Sequence, residues 1–161
     1  MHKYAVFLLK KFRFCYTINY IYLLDGDTMT RKQEREKTFC LIFEKSFRDE
    51  SCEEILELAE SIRDFEISDY IKAVFTGVFN NLDFIDGVIS KHLEKWTIDR
   101  ISKTDLSLLR LAVYEMKFCE DIPESVTVNE VVELAKNYSG DKGPAYVNGV
   151  LGSISRSGDL A

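Results

Sequence analysis

The stretch "ISKTDLSLLRLAVYEMKF", residues 101–118, decides the fold. Ser102 and Asp105 stand three positions apart, the spacing of a capping box, where two side chains satisfy backbone N–H groups that the first helical turn leaves unpaired. The residues that follow are apolar on nearly every side: Leu106, Leu108, Leu109, Leu111, Ala112, Val113, Tyr114 and Met116. A surface helix carries one apolar stripe, whereas a helix without a polar face has neighbours all round it. Residues 101–118 are therefore the expected centre of the domain, covered by the rest of the chain.

Working outward, the pattern stays helical on both sides. Downstream, Pro123 marks a break, and Thr127 and Glu130 repeat the capping-box spacing. Val128, Val131, Val132 and Ala135 then recur at i, i+3, i+4 and i+7, ending near Tyr138 and Gly140. The last helix, "GPAYVNGVL" at residues 143–151, contains a conflict. Asn148-Gly149 reads alone as a turn, but the stripe Val147, Val150, Leu151 and Ile154 runs through it. The stripe wins. Gly149 is then expected to let this helix approach a neighbour closely, and the Asn148 amide to satisfy a buried polar group.

Upstream, Phe39, Cys40, Phe43 and Phe47 form one stripe, and Cys52, Ile55, Leu56, Ala59 and Ile62 a second. Ser68 is a fitting N-cap for a long helix with Ile71, Val74, Phe75, Val78, Phe79 and Leu82. That pattern continues through Ile85, Ile89, Leu93 and Trp96, with a kink expected near Asn80-Asn81. No strand pair, internal repeat or long linker interrupts the series. The expectation is one all-α domain of about seven helices.

Composition bounds the rest. With 161 residues, 46% of them apolar, the chain is long enough for one domain with a sizeable core. A net charge of −6 excludes nucleic-acid binding by bulk attraction, so any such binding needs a local basic patch. Cys15, Cys40, Cys52 and Cys119 are far apart with no CxxC pair, which predicts free thiols and a cytoplasmic protein. With only two histidines, no zinc set is expected, and no cofactor-binding or catalytic motif stands out.

Residues 1–28 do not match this pattern. "MHKYAVFLLKKFRFCYTINYIYLL" is basic, aromatic and β-prone. Its longest charge-free run, residues 14–24, is too short to span a bilayer, and no cleavage-site pattern follows. We expect 1–28 to be a non-native or disordered extension and the natural chain to start at Met29. That leaves residues 29–161 as the helical domain with a net charge of −8, since 1–28 carry four Lys/Arg and two Asp.

Several groups stand out chemically, each with two readings. Arg31, Lys32, Arg35 and Lys37 flank the first stripe and make either a phosphate-binding edge or an ordinary solvated helix start. Tyr146, near Lys142, either stacks on an unpaired base or belongs to the core. Arg110 lies in an apolar run and requires a partner, with Glu115 and Glu130 as candidates. Glu53, Glu54, Glu57 and Glu60 read as a solvated acidic face. His92 has no evident catalytic partner.

Taken together, Leu109-Arg110, Ala112, Tyr114-Glu115, Pro123, Val126, Val128-Asn129-Glu130, Glu133-Leu134-Ala135-Lys136 and Tyr146-Val147-Asn148-Gly149-Val150-Leu151 resemble the NusB family of bacterial transcription antitermination factors. The order and spacing match a pattern LR-x-A-x-YE, P-x-x-V-x-[IV]NE-x-x-ELAK and [FY]VNGVL, and the likeness spans about residues 30–156. The resemblance implies two packed helical bundles. It implies binding of boxA RNA in ribosomal RNA leader transcripts together with the small ribosomal-subunit protein NusE, and loading onto RNA polymerase with other Nus factors. No membrane is involved.

Carried over position by position, the resemblance puts RNA contacts at Arg31, Lys32, Arg35 and Tyr146, with Lys37 added on charge. Phe43 stands where relatives often have Tyr, without the hydroxyl, and Lys142 compensates for Ala145 where relatives carry Lys. Asp105 matches an acidic position on the NusE face. Two other classes remain: a helical protein-protein adaptor without RNA binding, and an enzyme domain, since NusB-like modules also occur fused to RNA methyltransferases. This chain has no room for that fusion's cofactor-binding fold.

Overall fold

A computed structural model of the protein describes residues 29–63, 66–93 and 96–160, without the side chains of 62 and 63. The extension at 1–28, Cys15 within it and the Ile62 side chain lie outside the described residues. Seven α-helices follow one another: α1 (Arg31–Lys45), α2 (Cys52–Arg63), α3 (Asp69–Asn80), α4 (Leu82–Lys91), α5 (Lys103–Phe118), α6 (Glu124–Tyr138) and α7 (Gly143–Ser157). A single 3-10 turn, Ile98–Arg100, precedes α5. Among the described residues there is no strand, and no helix is long and apolar enough to cross a membrane.

The apolar pattern explains the arrangement. Helix α5 buries Leu106, Leu108, Leu109, Leu111, Ala112 and Val113 and packs against α1, α3, α4, α6 and α7. It joins two groups, α1–α3 and α4–α7, into the expected pair of bundles. Fully buried Ile42, Ile71, Phe75, Ile85, Ile89, Val131, Leu151 and Ile154 face the same core. Each such side chain contributes about 1.5–3 kcal/mol by leaving water. Where α3 crosses α5 the spacing is set by Gly77, since a Cβ there would fall 2.2 Å from the Tyr114 hydroxyl.

Several expectations are corrected. The long helix after Ser68 is two helices, because Asn81 leaves helical geometry (φ −116°, ψ 22°) and its amide donates to the Gly77 carbonyl at 2.8 Å. The second of them, α4, ends at Lys91 with His92 as its cap, so Trp96 is not on a helix. Phe47 lies past the end of α1 and is exposed. Thr127 does not cap a helix: α6 starts earlier, at Glu124 after Pro123, and Thr127 is buried inside it. Only half of the Ser102–Asp105 box forms. The Ser102 hydroxyl accepts from the Asp105 N–H at 3.0 Å, but the Asp105 carboxylate takes hydroxyl protons, not the Ser102 backbone.

Gly149 and Asn148 do not do what the stripe suggested. Both face solvent on α7, and nothing lies within 4 Å of a Cβ built on Gly149. The close approach falls instead at Gly143, where a Cβ would meet Ser139 Oγ at 1.8 Å. Arg110 pairs with neither Glu115 nor Glu130. It makes a two-pronged bond to Asp86 on α4, 2.8 and 2.7 Å long. Cys52 and Cys119 are free thiols, and Glu53, Glu54, Glu57 and Glu60 are exposed along α2.

Candidate nucleic-acid interface

Thr30 fixes how α1 begins. Its hydroxyl accepts from the Gln33 N–H, and the Gln33 side chain accepts from the Thr30 N–H at 2.7 Å, a full capping box that the sequence reading missed. The first turn then presents Arg31 and Lys32 to solvent. The Arg31 guanidinium sits 4.1 Å from the centre of the Tyr70 ring and 3.1 Å from Glu34. Lys32 acts on Glu133 of α6, whose carboxyl is held below its usual range first by the Lys136 hydrogen bond and in smaller part by Lys32. Lys37 and Phe43 are half-buried further along α1, with the Phe43 ring 6.2 Å from Phe39 and 5.1 Å from Phe47.

Arg35 is not on this rim. It is 3% exposed, and its Nε donates to Glu115 at 2.8 Å while Nη1 lies 3.7 Å from Glu130. Glu115, itself fully buried, also accepts from the Tyr70 hydroxyl and from Thr127 at 2.7 Å. Burial opposes the charge on Arg35, but the Glu115 hydrogen bond and field outweigh it and raise its pKa. Burial, then the Glu115 charge, push the Tyr70 phenol well above its ordinary value. The Arg35 fork is thus engaged by carboxylates inside the domain rather than presented on the rim.

The rim continues to the start of α7 through the end of α6. Tyr138 donates to Glu36 on α1 and packs on Phe39 at 5.0 Å. The next residue, Ser139, donates to Asp105 at the start of α5. Asp105 also accepts from Ser102 at 2.7 Å. Gly143 leaves room for this contact, since any side chain there would displace Ser139. Lys142 precedes α7 and is exposed.

Tyr146, in the first turn of α7, is half-buried. Its hydroxyl is buried with no hydrogen-bond partner among the described residues. Burial first, and then the Asp105 charge, raise its pKa. Its ring lines a pocket of about 240 Å³ together with Trp96, Arg100, Ser102, Asp105 and Lys142. Tyr146 is therefore at once a packing residue and a lining residue. The sequence reading placed Trp96 on a helical stripe and did not single out Arg100; the structure sets both in the lining of this pocket.

His92 does have partners. Its Nδ1 lies 2.8 Å from Ser153 Oγ and its Nε2 2.8 Å from Asp159, tying the end of α4 to the end of α7.

Known proteins place this arrangement. Residues 32–156 match the profile of the NusB family. The chain belongs to the NusB family. The transcription antitermination protein NusB of Clostridium botulinum (strain Loch Maree / Type A3) is 42% identical over 140 residues, covering 78% of this chain and 99% of that protein. NusB of Clostridium novyi (strain NT) is 42% identical over 133 residues, covering 80% and 100%. Among solved structures, T. maritima NusB superposes with a TM-score of 0.72 at 36% identity, covering 81% of this chain and 94% of that one. A chain from the crystal structure of the antitermination factors NusB and NusE in complex with dsRNA gives 0.69 at 28% identity, covering 80% and 99%. The family match over residues 32–156 takes in the pocket residues and the rim from Lys32 onward.

Proposed function

We infer that this NusB-family protein is a transcription antitermination factor. It binds boxA RNA of ribosomal RNA leader transcripts together with the small ribosomal-subunit protein NusE, and promotes processive ribosomal RNA transcription as part of the RNA polymerase antitermination complex with other Nus factors. The observation that carries this is the junction at Tyr138-Ser139, which sets the α1 rim and the Tyr146 pocket side by side on an otherwise acidic body. A relative of the same fold was crystallised with NusE and double-stranded RNA.

The mechanism is binding, with no chemical step. Arg31, Lys32, Lys37 and Lys142 attract the phosphate chain in a salt-dependent way, and Phe43 and Tyr146 offer rings to unpaired bases. Arg35 supports the rim from beneath by holding Glu115 and Tyr70. Asp105 presents a carboxylate to the partner protein at the edge of the same surface. A net charge of −6 leaves little general attraction for RNA, so a basic partner sharing the transcript raises the joint affinity by linking two weak sites. Such a role places the protein in the cytoplasm.

The deciding experiment titrates labelled boxA RNA with the protein alone, with NusE alone, and with both. Binding that is tightest for the pair, and weakens with salt, is expected. Capture of NusE without any contribution to RNA affinity would replace this reading with that of a protein-only adaptor.

A further inference from the structure

The pocket at the start of α7 has more than a rim needs. It gathers two rings (Trp96, Tyr146), two cations (Arg100, Lys142) and one carboxylate (Asp105) from segments that are distant in sequence. Trp96 is 55% exposed, although burying an indole is strongly favourable. At about 240 Å³ the space is smaller than the ~300–1,000 Å³ typical for a whole small molecule. It suits one flat group.

The charges on its border fit an anion attached to that group. Neither a side-chain cap nor an acidic residue occupies the first turn of α7, a helix of 15 residues. Its N-terminal pole adds to the positive field of Lys142 and Arg100, partly offset by Asp105 of α5, whose Oδ1 would lie 3.1 Å from a Cβ built on Gly143. Asp105, held by the Ser102 and Ser139 hydroxyls, forms the wall of the pocket on the side assigned above to the partner protein.

We propose that this pocket receives a single unpaired nucleotide of the bound RNA. The base lies against Trp96 and Tyr146, and its phosphate between Arg100, Lys142 and the start of α7. Trp96 and Arg100 are thereby RNA-contacting residues outside the basic rim and the motif around Tyr146. The proposal rests on the RNA-binding reading above and adds to it one position at which the transcript is gripped base-first.

The test uses a built-in probe. Trp96 is the sole tryptophan of the chain, so intrinsic tryptophan emission reports on this pocket alone. The full chain is titrated with dye-labelled single-stranded boxA RNA, reading anisotropy of the dye and Trp96 emission in parallel, with and without NusE.

Quenching that saturates together with the anisotropy is expected. Trp96→Ala should weaken binding roughly 5- to 150-fold, the range of one base–ring stack, and Trp96→Phe much less. Arg100→Ala should lower the slope of log affinity against log salt by about 0.7, the loss of one phosphate contact on a single strand. Because Trp96 lies outside every helix, these variants should fold, which circular dichroism checks. Anisotropy with silent Trp96 emission and unchanged variants would overturn the proposal while leaving RNA binding intact. Emission that responds to NusE and not to RNA would assign the pocket to the protein partner and overturn it equally. No anisotropy change under any condition would remove the RNA reading itself.

Discussion

Arg35 and Glu115 meet across 80 positions of sequence in a buried ion pair 2.8 Å long, and that pair joins α1 to the central helix. Neither side chain reaches solvent. Glu130, Tyr70 and Thr127 complete the cluster, so both charges are hydrogen-bonded from several sides.

The first prediction follows. Arg35→Ala strands a buried carboxylate and should cost roughly 3–5 kcal/mol of folding stability, read by urea denaturation. At a temperature where the variant is folded, the salt dependence of boxA binding should match the wild type. A lowered slope would return Arg35 to the phosphate-contacting set. Replacing both partners with apolar residues of similar size should recover much of the loss.

Lys32→Ala is the counterpart. Lys32 is exposed and bears no buried contact, so stability should change by no more than about 0.5 kcal/mol. BoxA affinity should fall at low salt and its salt slope by about 0.7. Filter binding at several salt concentrations measures both. An unaltered slope would take Lys32 off the RNA path.

Tyr146 separates ring from hydroxyl. The hydroxyl is buried without a partner, a situation that costs about 1–3 kcal/mol. Tyr146→Phe should therefore leave stability unchanged or raise it, and keep RNA affinity. Tyr146→Ala should lose about 1–3 kcal/mol of binding, one stacked base, with the thermal transition lowered but still cooperative. Loss of RNA binding in Tyr146→Phe would show that the hydroxyl is used in the complex.

These contrasts mark what the sequence made legible. The all-round apolar run in α5 disclosed the centre of the fold, because period and burial are both local signals. The same signals put Tyr146 at the margin of the last stripe, where it is half-buried, and only the family resemblance marked it as a candidate RNA contact. The partner of Arg110 was not visible: Asp86 lies on α4, 24 positions away, and Glu115 and Glu130 were nearer in sequence while α1 claimed both. Arg35 resembled Arg31 and Lys32 in its neighbours and differs from them only in burial, which depends on where α6 lands. Trp96 fell in step with the preceding stripe, and it is the end of α4 at Lys91, capped by His92, that leaves it off that helix.

Cys119 offers a pH-dependent readout. Burial first, then Glu115 and Asp121, push its thiol up to about 11, against about 8.5 for an ordinary cysteine. A raised acid is neutral in the folded state, so this contribution to stability is complete below pH ~8.5 and is lost as pH rises towards the folded value. Thiolate is the reactive form. Iodoacetamide should therefore label Cys119 slowly at pH 8 in the native protein and rapidly after denaturation, as mass spectrometry of the modified peptide would show. Fast native labelling would mean that the site opens to solvent.

The two glycines Gly77 and Gly149 should respond in opposite directions to the same change. A Cβ at Gly77 would fall 2.2–2.4 Å from the Tyr114 ring and hydroxyl, so Gly77→Ala forces α3 and α5 apart or displaces Tyr114, at about 1–3 kcal/mol. Gly149 is exposed in mid-helix with open space around it. There Ala brings only its better helix propensity, so Gly149→Ala should stabilise by about 0.5–1 kcal/mol. Thermal denaturation of both variants decides the matter. A destabilised Gly149→Ala would mean that the last helix makes a close approach at this position after all, and that the turn-like dipeptide in its sequence has a packing role.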